Sequence, residues 1–295
     1  MADVSKVGVL GCGLMGSGNA EVAAKAGVET WVREVSDQLA EQGKAAVTRS
    51  LDKAVEKGKL EASERTAALD QLKFTTRLED LADCDVIIEA VTEDLNLKNE
   101  MFGALDQICP PRTIFASNTS SLTIADMAAA TSRPDRVVGL HFFNPVPVMK
   151  LVEVVRTIAT SDDAYRTAFE FVKKVGKEPV VAKDASGFIV NRLLVPYMLD
   201  AIRCLEQGLA SVDDIDKSMV LGTGHPMGPF ALSDFVGIDT LYRISEIMFN
   251  EFREPRFAPP PLLKRMVTMG YFGRKTKKGF YDYSGQAPKA VNLGI

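Results

Sequence analysis

The sequence predicts an α/β protein in which a doubly wound sheet with a helical arm is followed by an all-α C-terminal domain. From residue 6 to about 182, short β-branched runs alternate with helical patterns, which is typical of a parallel sheet covered by helices. After Asp184 only helical patterns remain. At about 150 residues per domain, the 295 residues suit two domains. We place them at 1–184 and 185–295.

The predicted elements follow one another in a regular order. The residue pattern predicts seven β-strands, and a further strand-like segment lies near Phe74. The seven are Lys6 to Leu10, Thr30 to Arg33, Val86 to Ala90, Thr113 to Ala116, Val137 to Phe142, Leu151 to Val155 and Pro179 to Val181. In the second domain, apolar residues at spacings of three and four predict a helix over 188–208. Another helix opens at Ser211, which forms a capping pair with Asp214, and a last one covers about Leu262 to Met269.

The interval between the second strand and Phe74 is too long for an ordinary connection. Its pattern is helical over Val35 to Lys57 and again over Ser63 to Leu72, so we define a helical arm at about 35–73. Residues 44–73 hold seven Lys or Arg and five Asp or Glu. The arm is either a solvated helical hairpin or a cationic surface for an anionic ligand.

Composition excludes several classes of protein. With 46% hydrophobic and 25% charged residues, the chain matches an ordinary globular protein. A net charge of -4 and a pI near 5.4 argue against nucleic acid as a partner. Four scattered Cys and two His provide no metal-ligand spacing, so we expect no metal. Because we find neither a signal peptide nor an 18-residue apolar run, we expect a cytoplasmic protein that does not bind membranes.

A glycine-rich turn follows the first predicted strand. Gly11 makes the tight turn, Gly13 lets backbone amides approach a pyrophosphate, and Gly16 permits close packing of helix on strand. Leu14 and Met15 begin the helix whose N-terminus would face the phosphates. Strand, turn, helix and second strand together predict a Rossmann-type, NAD-binding domain.

The acid at the end of the second strand bears on which dinucleotide binds. Glu34 lies 23 residues after Gly11, near the position of the acid that accepts the ribose hydroxyls and repels a 2'-phosphate. This favours NAD over NADP. The neighbouring Arg33 could instead reach a 2'-phosphate, so NADP stays open.

Proton transfer near neutral pH has few candidates, because the chain has only two His. A His among apolar residues, as His141 is, is more often structural than catalytic. However, His141 ends a strand, where α/β sheets bind their ligands, and Glu153 is the next acid that could fold back against it. A carboxylate beside imidazole fixes its tautomer for acid/base work. His225 lies in a Gly/Pro-rich turn and suits a loop role.

The motifs together resemble one family. They are VGVLGCGLMGSG, EAVTEDLNLKNEMF, SNTSSL, HFFNPVPVMKLVEVV, GFIVNR, GHPMGPF and GRKTKKGFYDY. With them the chain resembles the 3-hydroxyacyl-CoA dehydrogenases over nearly its whole length, and within them the short single-function 3-hydroxybutyryl-CoA dehydrogenase type. The resemblance implies a Rossmann domain followed by a helical domain that binds substrate and forms a homodimer.

The resemblance also implies roles for single residues. His141 in HFFNP matches the catalytic acid/base, and Glu153 in KLVEVV matches its partner. Ser120 in SNTSSL and Asn191 in GFIVNR match polar residues at the substrate oxygen.

Contacts to the two ligands are implied in the same way. Besides the glycine turn and Glu34, cofactor contacts are implied for Glu93, Lys98, Ser120, Asn144 and Lys275. Contacts to CoA are implied for Ser50 and Lys57 on the arm and for Ser120, which would explain the arm's basic character.

We therefore expect reversible NAD(H)-dependent oxidation of (S)-3-hydroxyacyl-CoA in fatty acid metabolism. The small size of the protein favours a substrate with a short acyl group, 3-hydroxybutyryl-CoA. Three alternatives remain: an NADP-preferring acetoacetyl-CoA reductase of this family, a β-hydroxyacid dehydrogenase, and a non-catalytic NAD-binding protein. Asn19 and Ser186 depart from the family pattern, which has apolar residues or Pro there. Asn19 must face a polar partner or leave its amide unsatisfied.

Overall fold

The computed structural model describes residues 3–294. The chain divides between Phe188 and Ile189 into two compact units, a few residues beyond the boundary expected from the sequence. Each unit has its own hydrophobic core, because each of the three main clusters of buried apolar residues lies within a single unit.

The first unit contains one eight-stranded sheet. Its strands are β1 (Lys6–Leu10), β2 (Glu29–Arg33), β3 (Leu72–Thr75), β4 (Val86–Glu89), β5 (Ile114–Ser117), β6 (Val137–Phe142), β7 (Leu151–Arg156) and β8 (Glu178–Lys183). They lie in the order β3-β2-β1-β4-β5-β6-β7-β8. The predicted doubly wound class and all eight predicted strands are confirmed.

One pair of strands differs from the expected parallel arrangement. All neighbouring strands are parallel except β6 and β7, which are antiparallel. Only residues 143–150 join these two strands, whereas a parallel crossover needs a dozen or more residues. The short connection therefore forces β7 to return directly beside β6.

Six helices accompany this sheet. They are α1 (Leu14–Lys25), α2 (Asp37–Glu56), α3 (Ala62–Asp70), α4 (Leu95–Ile108), α5 (Ile124–Ala128) and α6 (Asp162–Lys174). Side chains cap several of them: Ser36 accepts a hydrogen bond from the Leu39 N–H at the start of α2, and Asp94 accepts one from the Leu97 N–H at the start of α4.

The arm consists of α2 and α3, as the sequence predicts. It has a small core of its own, in which Val47, Leu51 and Ala68 pack with Ala24 of α1. Most of its basic side chains are exposed, namely those of Lys44, Arg49, Lys53, Lys57 and Lys59. Arg65 differs, since its Nε lies 2.5 Å from Asp52 Oδ1. The arm thus keeps an exposed cationic surface.

The second unit is helical apart from a two-stranded ribbon. Its helices are α7 (Val190–Glu206), α8 (Val212–Thr223), α9 (Pro229–Val236), α10 (Ile238–Phe252) and α11 (Pro261–Thr268), and the ribbon pairs β9 (Tyr281–Asp282) with β10 (Lys289–Ala290). Ser211 caps α8 by accepting the Asp214 N–H at 3.1 Å, as predicted. Buried Asp234 accepts the N–H groups of Phe280 and Tyr281 and so ties the ribbon to α9. Across residues 3–294, none of the helices has the length and apolar character that a membrane span requires.

Asn19 lies on α1 and is 1% exposed. Neither its Oδ1 nor its Nδ2 has a hydrogen-bond partner among the described residues. Of the two outcomes that the sequence left open for Asn19, the structure shows the second, a buried amide without a hydrogen-bond partner. Leaving such a group buried costs roughly 1–3 kcal/mol.

Replacing Asn19 with Leu, which has nearly the same shape, removes this cost. We expect Asn19→Leu to raise the free energy of unfolding by about 1–2 kcal/mol in urea titrations. The matched control is Asn96→Leu, because Asn96 is exposed on α4. Equal effects of the two substitutions, or a loss of stability in Asn19→Leu, would contradict this account.

Candidate active site

The residues singled out in the first unit collect at one edge of the sheet. Parallel strands end at the same edge, and ligands of α/β proteins bind there. Gly11 directly follows β1, and Glu34 directly follows β2. Ser120 lies three residues beyond β5, and His141 is the second-last residue of β6. The topology therefore brings the predicted cofactor and chemical residues of this unit to a common edge.

The glycine-rich turn has the geometry that a dinucleotide requires. Gly11 has a φ of +83°, which disfavours any side chain. A Cβ on Gly16 would overlap the carbonyl oxygen of Gly11, so helix α1 can pack this closely only with glycine there. A Cβ on Gly13 would have nothing within 4 Å, which leaves the backbone open at the start of α1. The turn fits a pyrophosphate.

Glu34 is held against this turn. Its carboxylate accepts hydrogen bonds from the N–H groups of Cys12 and, at 3.2 Å, Val35. The Arg33 Nε instead donates to the Thr76 carbonyl at 3.3 Å. Glu34, rather than Arg33, is thus the side chain that faces the glycine turn. Burial, followed by the Glu34 charge, raises the pKa of the Cys12 thiol to about 12, so this thiol stays protonated.

His141 and Glu153 form a buried pair across the antiparallel strands. They stand directly opposite each other in the β6–β7 register. His141 Nδ1 lies 2.6 Å from Glu153 Oε2, and the two residues are 4% and 0% exposed. The Phe143 and Phe188 rings have centroids 4.3 Å and 5.6 Å from that of the imidazole. This apolar surrounding strengthens the hydrogen bond that orients the ring.

A second buried group of charges lies between β4 and α4. Lys98 Nζ is 2.7 Å from Glu89 Oε1 and 3.1 Å from Glu93 Oε2. Burial opposes ionisation of Glu93, but the Lys98 charge and hydroxyl donors outweigh it, so the pKa of Glu93 is lowered. The three side chains thus form one buried network in which Lys98 bridges the two carboxylates.

The network holds the segment that carries Ser120. Glu89 Oε2 accepts the Ser117 hydroxyl at 2.6 Å. Glu93 Oε1 accepts the hydroxyls of Thr119 and Ser121 at 2.5 Å and 3.0 Å, and the Ser120 N–H at 3.3 Å. These bonds fix the backbone of 117–121.

The same segment reaches the strand of His141. Asn118 Oδ1 accepts the Phe142 N–H at 3.0 Å, one residue after His141. The Ser120 turn and the end of β6 are thus joined by a direct hydrogen bond.

The predicted CoA residues lie on the arm. Ser50 is half-buried in α2. Burial raises the pKa of the Glu21 carboxyl on α1, and the nearby Ser50 hydroxyl partly offsets this rise. Lys57 is exposed and directly follows α2 as its C-cap, two helical turns from Ser50, so the two project from one side of the helix. Asn144 is exposed in the loop after β6. Its role as a cofactor contact stays a prediction, as do the roles of Ser50 and Lys57.

Three predicted residues belong to the second unit. Asn191 is the second residue of α7, and its role stays a prediction. Lys275 Nζ lies 2.8 Å from Asp239 Oδ1 and 3.0 Å from Thr240 Oγ1, so its ammonium has partners within the unit. His225 is exposed in the loop between α8 and α9, with its Nδ1 3.3 Å from the Tyr197 hydroxyl.

Sequence reasoning overlooked Glu89 and Asn118. Glu89 ends the otherwise apolar strand VIIE, and such a charge at the carboxyl end of a buried strand was an available signal. Asn118 carried no signal of its own, because its role depends on the pairing of β5 with β6.

Comparison with known proteins gives consistent results. The model of the 3-hydroxyacyl-CoA dehydrogenase NAD binding domain matches residues 6–185, and that of the C-terminal domain of the same enzymes matches residues 187–283. A 3-hydroxybutyryl-CoA dehydrogenase of Mycobacterium tuberculosis is 52% identical over 282 residues, which are 95% of this chain and 99% of that protein.

Two solved structures are also similar. The crystal structure of Mycobacterium tuberculosis FadB2 has a TM-score of 0.94 and 52% identity, over 96% of this chain and 100% of that one. The (S)-3-hydroxybutyryl-CoA dehydrogenase PaaH1 from Ralstonia eutropha has a TM-score of 0.92 and 42% identity, with the same coverage. The chain thus belongs to the 3-hydroxyacyl-CoA dehydrogenase family, with the NAD binding domain of that family in its first part.

Proposed function

We propose that this protein catalyses the reversible oxidation of (S)-3-hydroxyacyl-CoA to 3-ketoacyl-CoA with NAD, and that 3-hydroxybutyryl-CoA is its substrate. The observation that carries the proposal is the buried pair of His141 and Glu153, 2.6 Å apart, at the ligand-binding edge of the sheet. Support for the substrate comes from relatives named 3-hydroxybutyryl-CoA dehydrogenase, one of which matches 95% of this chain.

His141 carries the proton. With its Nδ1–H donated to Glu153, the imidazole leaves the Nε2 lone pair to accept the proton of the substrate hydroxyl. In the reverse direction Nε2–H returns this proton to the oxygen of the ketoacyl group. Glu153 stabilises the imidazolium that forms between these steps, because its carboxylate is already hydrogen-bonded to the ring.

Bound NAD supplies the hydride acceptor for C3 of the substrate. Gly11, Gly13 and Gly16 leave room for its pyrophosphate, together with the first helical residues Leu14 and Met15, and Glu34 accepts the ribose hydroxyls. The proposed cofactor contacts are completed by Glu93, Lys98, Ser120, Asn144 and Lys275.

The remaining residues bind and orient the acyl-CoA. Ser120 and Asn191 hydrogen-bond the reacting oxygen. On the arm, Ser50 and Lys57 contact the CoA portion, where the exposed ammonium of Lys57 attracts a phosphate. A local cationic surface can bind one CoA although the whole chain has a net charge of -4.

The second unit forms the homodimer in this proposal. Leu193 on α7 is 70% exposed, and Ile189 lies four residues before it on the same side. Leu221 at the end of α8 is also exposed. Exposed apolar side chains of this kind suit an interface with a second copy.

Replacing His141 by Gln tests the chemistry. We expect kcat for acetoacetyl-CoA reduction to fall about a hundredfold or more, because the proton carrier is lost. Glu153→Gln should lower kcat at least about tenfold, since an amide no longer fixes the tautomer. Loss of NADH absorbance gives the rates, and fluorescence titration should show NADH binding within about threefold of wild type. A His141→Gln enzyme with wild-type turnover would refute the assignment. A wild type that is inactive on every 3-ketoacyl-CoA would refute the proposed reaction.

Replacing Glu34 by Ser tests the cofactor preference. We expect the KM for NADH to rise about tenfold, as for the loss of a hydrogen bond to a charged group. The ratio of kcat/KM for NADPH to that for NADH should rise, because the carboxylate no longer repels the 2'-phosphate. The control is Arg33→Ser, which should leave this ratio unchanged. A ratio that falls in Arg33→Ser would instead give Arg33 a role in NADP binding.

Introducing a charge at Leu193 tests the dimer. Leu193→Asp should give a monomer by size exclusion with light scattering, because burying an unpaired carboxylate opposes association. Ile158→Asp is the control, since Ile158 is fully exposed in the first unit and should leave the dimer intact. A Leu193→Asp protein that remains dimeric would exclude this surface.

A further inference from the structure

The turn after strand β8 places an aromatic ring on His141. Phe188 is 5% exposed, and its ring centroid lies 5.6 Å from that of the imidazole, with the two planes tilted by 54°. It belongs to the same apolar cluster as Val155, which lies two residues after Glu153 on β7 and so points to the same face of the sheet. Phe188 therefore covers the imidazole from the side of the sheet on which Glu153 lies.

Phe188 has an unusual backbone. Its φ is +45°, a left-handed conformation that is unfavourable for any residue with a side chain. Within residues 3–294 the other non-glycine residues with positive φ are Arg253 and Lys277, and both are exposed. A large buried residue keeps this conformation only where the surrounding structure holds it, and such strain is typical of functional sites.

Hydrogen bonds hold this turn, which comprises residues 184–188. Within it, the Phe188 N–H donates to the Ala185 carbonyl at 2.8 Å. At its start, the Asp184 carboxylate accepts the first two N–H groups of α5, at 2.8 Å and 2.7 Å. Because these N–H groups have no partner within their own helix, one carboxylate both caps α5 and anchors the turn.

Ser186 joins the turn to the segment that carries Ser120. Ser186 is 1% exposed, and its hydroxyl donates to the Ser121 carbonyl at 2.6 Å. Ser121 donates its own hydroxyl to Glu93 at 3.0 Å. The Phe188 ring and the backbone beside Ser120 are thus held by one set of hydrogen bonds.

We propose that Phe188 is a positioning residue for the dehydrogenase reaction and acts through His141. Its ring, together with that of Phe143 at 4.3 Å from the imidazole, keeps water from the Nδ1–H that is bonded to Glu153. Exclusion of water strengthens this hydrogen bond and so limits rotation of the imidazole. The left-handed backbone, anchored by Asp184 and Ser186, is what places the ring there. The inference rests on the proposed function and adds the 184–188 turn to the parts on which that function depends.

The strained backbone allows stability and activity to be separated. Phe188→Ala and Phe188→Gly both remove the ring, but only glycine adopts a left-handed backbone without strain. We expect Phe188→Gly to melt about 2 °C or more above Phe188→Ala. The kcat values of the two variants should nevertheless agree within about threefold, because both lack the ring.

The direct readout is the Nδ1 proton of His141. In the wild type this proton should give a low-field proton NMR resonance, because it is hydrogen-bonded to Glu153 and shielded from water. In Phe188→Ala its exchange with water should be at least about tenfold faster. With saturating NADH, kcat for acetoacetyl-CoA reduction should fall at least about tenfold. Ser186→Ala removes one anchor of the turn and should change both quantities by about threefold, as for the loss of one hydrogen bond.

The matched control is Phe171→Ala. Phe171 is 2% exposed on α6 and lines a surface depression with Val4, which precedes β1 and so lies at the opposite end of that strand from the glycine turn. The substitution removes the same ring from the core of the same unit, away from His141. It should lower the melting temperature and leave kcat and exchange of the Nδ1 proton unchanged.

Three results would overturn the proposal. The first is wild-type kcat and exchange in Phe188→Ala, because the ring would then be merely structural. The second is an equal loss of kcat in Phe171→Ala, and the third is a Phe188→Gly that melts below Phe188→Ala. If Phe188→Ala does not fold, Phe188→Leu decides by the same measurements of kcat and exchange. If the wild type does not reduce acetoacetyl-CoA, the proposed function fails, but exchange of the Nδ1 proton still decides the positioning claim.

Discussion

The hydrogen bond between His141 and Glu153 depends on the reversal of one strand in an otherwise parallel sheet. Because β7 returns antiparallel to β6, the two side chains face each other on neighbouring backbones. A slip of one residue in this pairing would turn Glu153 to the opposite face of the sheet. Four of the six positions of β7 are buried, namely Glu153 and the valines on either side of it. A slip would remove these valines from their packed positions, so the core resists it. The core that stabilises the sheet therefore also sets the geometry of the acid/base pair.

Buried ionisable side chains cluster near the carboxyl edge of the sheet, where Glu89, Lys98 and Glu153 are at most 1% exposed. Strands β4, β5 and β6 are buried along their whole length, yet β4 ends in Glu89 and β5 ends in Ser117. Apolar side chains of similar size would often give equal or greater stability at such positions. Here Glu89 and Glu93 accept hydrogen bonds from residues 117–121, and these bonds orient the backbone between β5 and α5. Natural proteins depart from local rules in this way at functional sites.

Much of this arrangement could be predicted from the sequence, and the reasons for the exceptions are physical. Periodicity identified the strands and helices, and the spacing of Gly11, Gly13, Gly16 and Glu34 predicted the dinucleotide turn, because these signals are local. The reversal of β7 was not predicted, since strand patterns carry no direction. The ribbon at Tyr281–Asp282 is too short for a periodic signal. The role of Lys98 as a cofactor contact follows from family resemblance and stays a prediction, but its burial was not predicted. Its burial follows from the packing of α4 on β4, which residue spacing does not reveal.

The most direct test of the central claim is the position of the proton on the His141 ring. Because the chain has only two His, nitrogen NMR of protein labelled at the imidazole nitrogens gives two assignable rings. At about pH 9, where an ordinary imidazole is neutral, we predict that His141 carries its proton on Nδ1, bonded to Glu153, with Nε2 unprotonated. In Glu153→Gln the two tautomers should mix. A His141 that carries its proton on Nε2 in the wild type would contradict the account, because that nitrogen could not then accept the substrate proton.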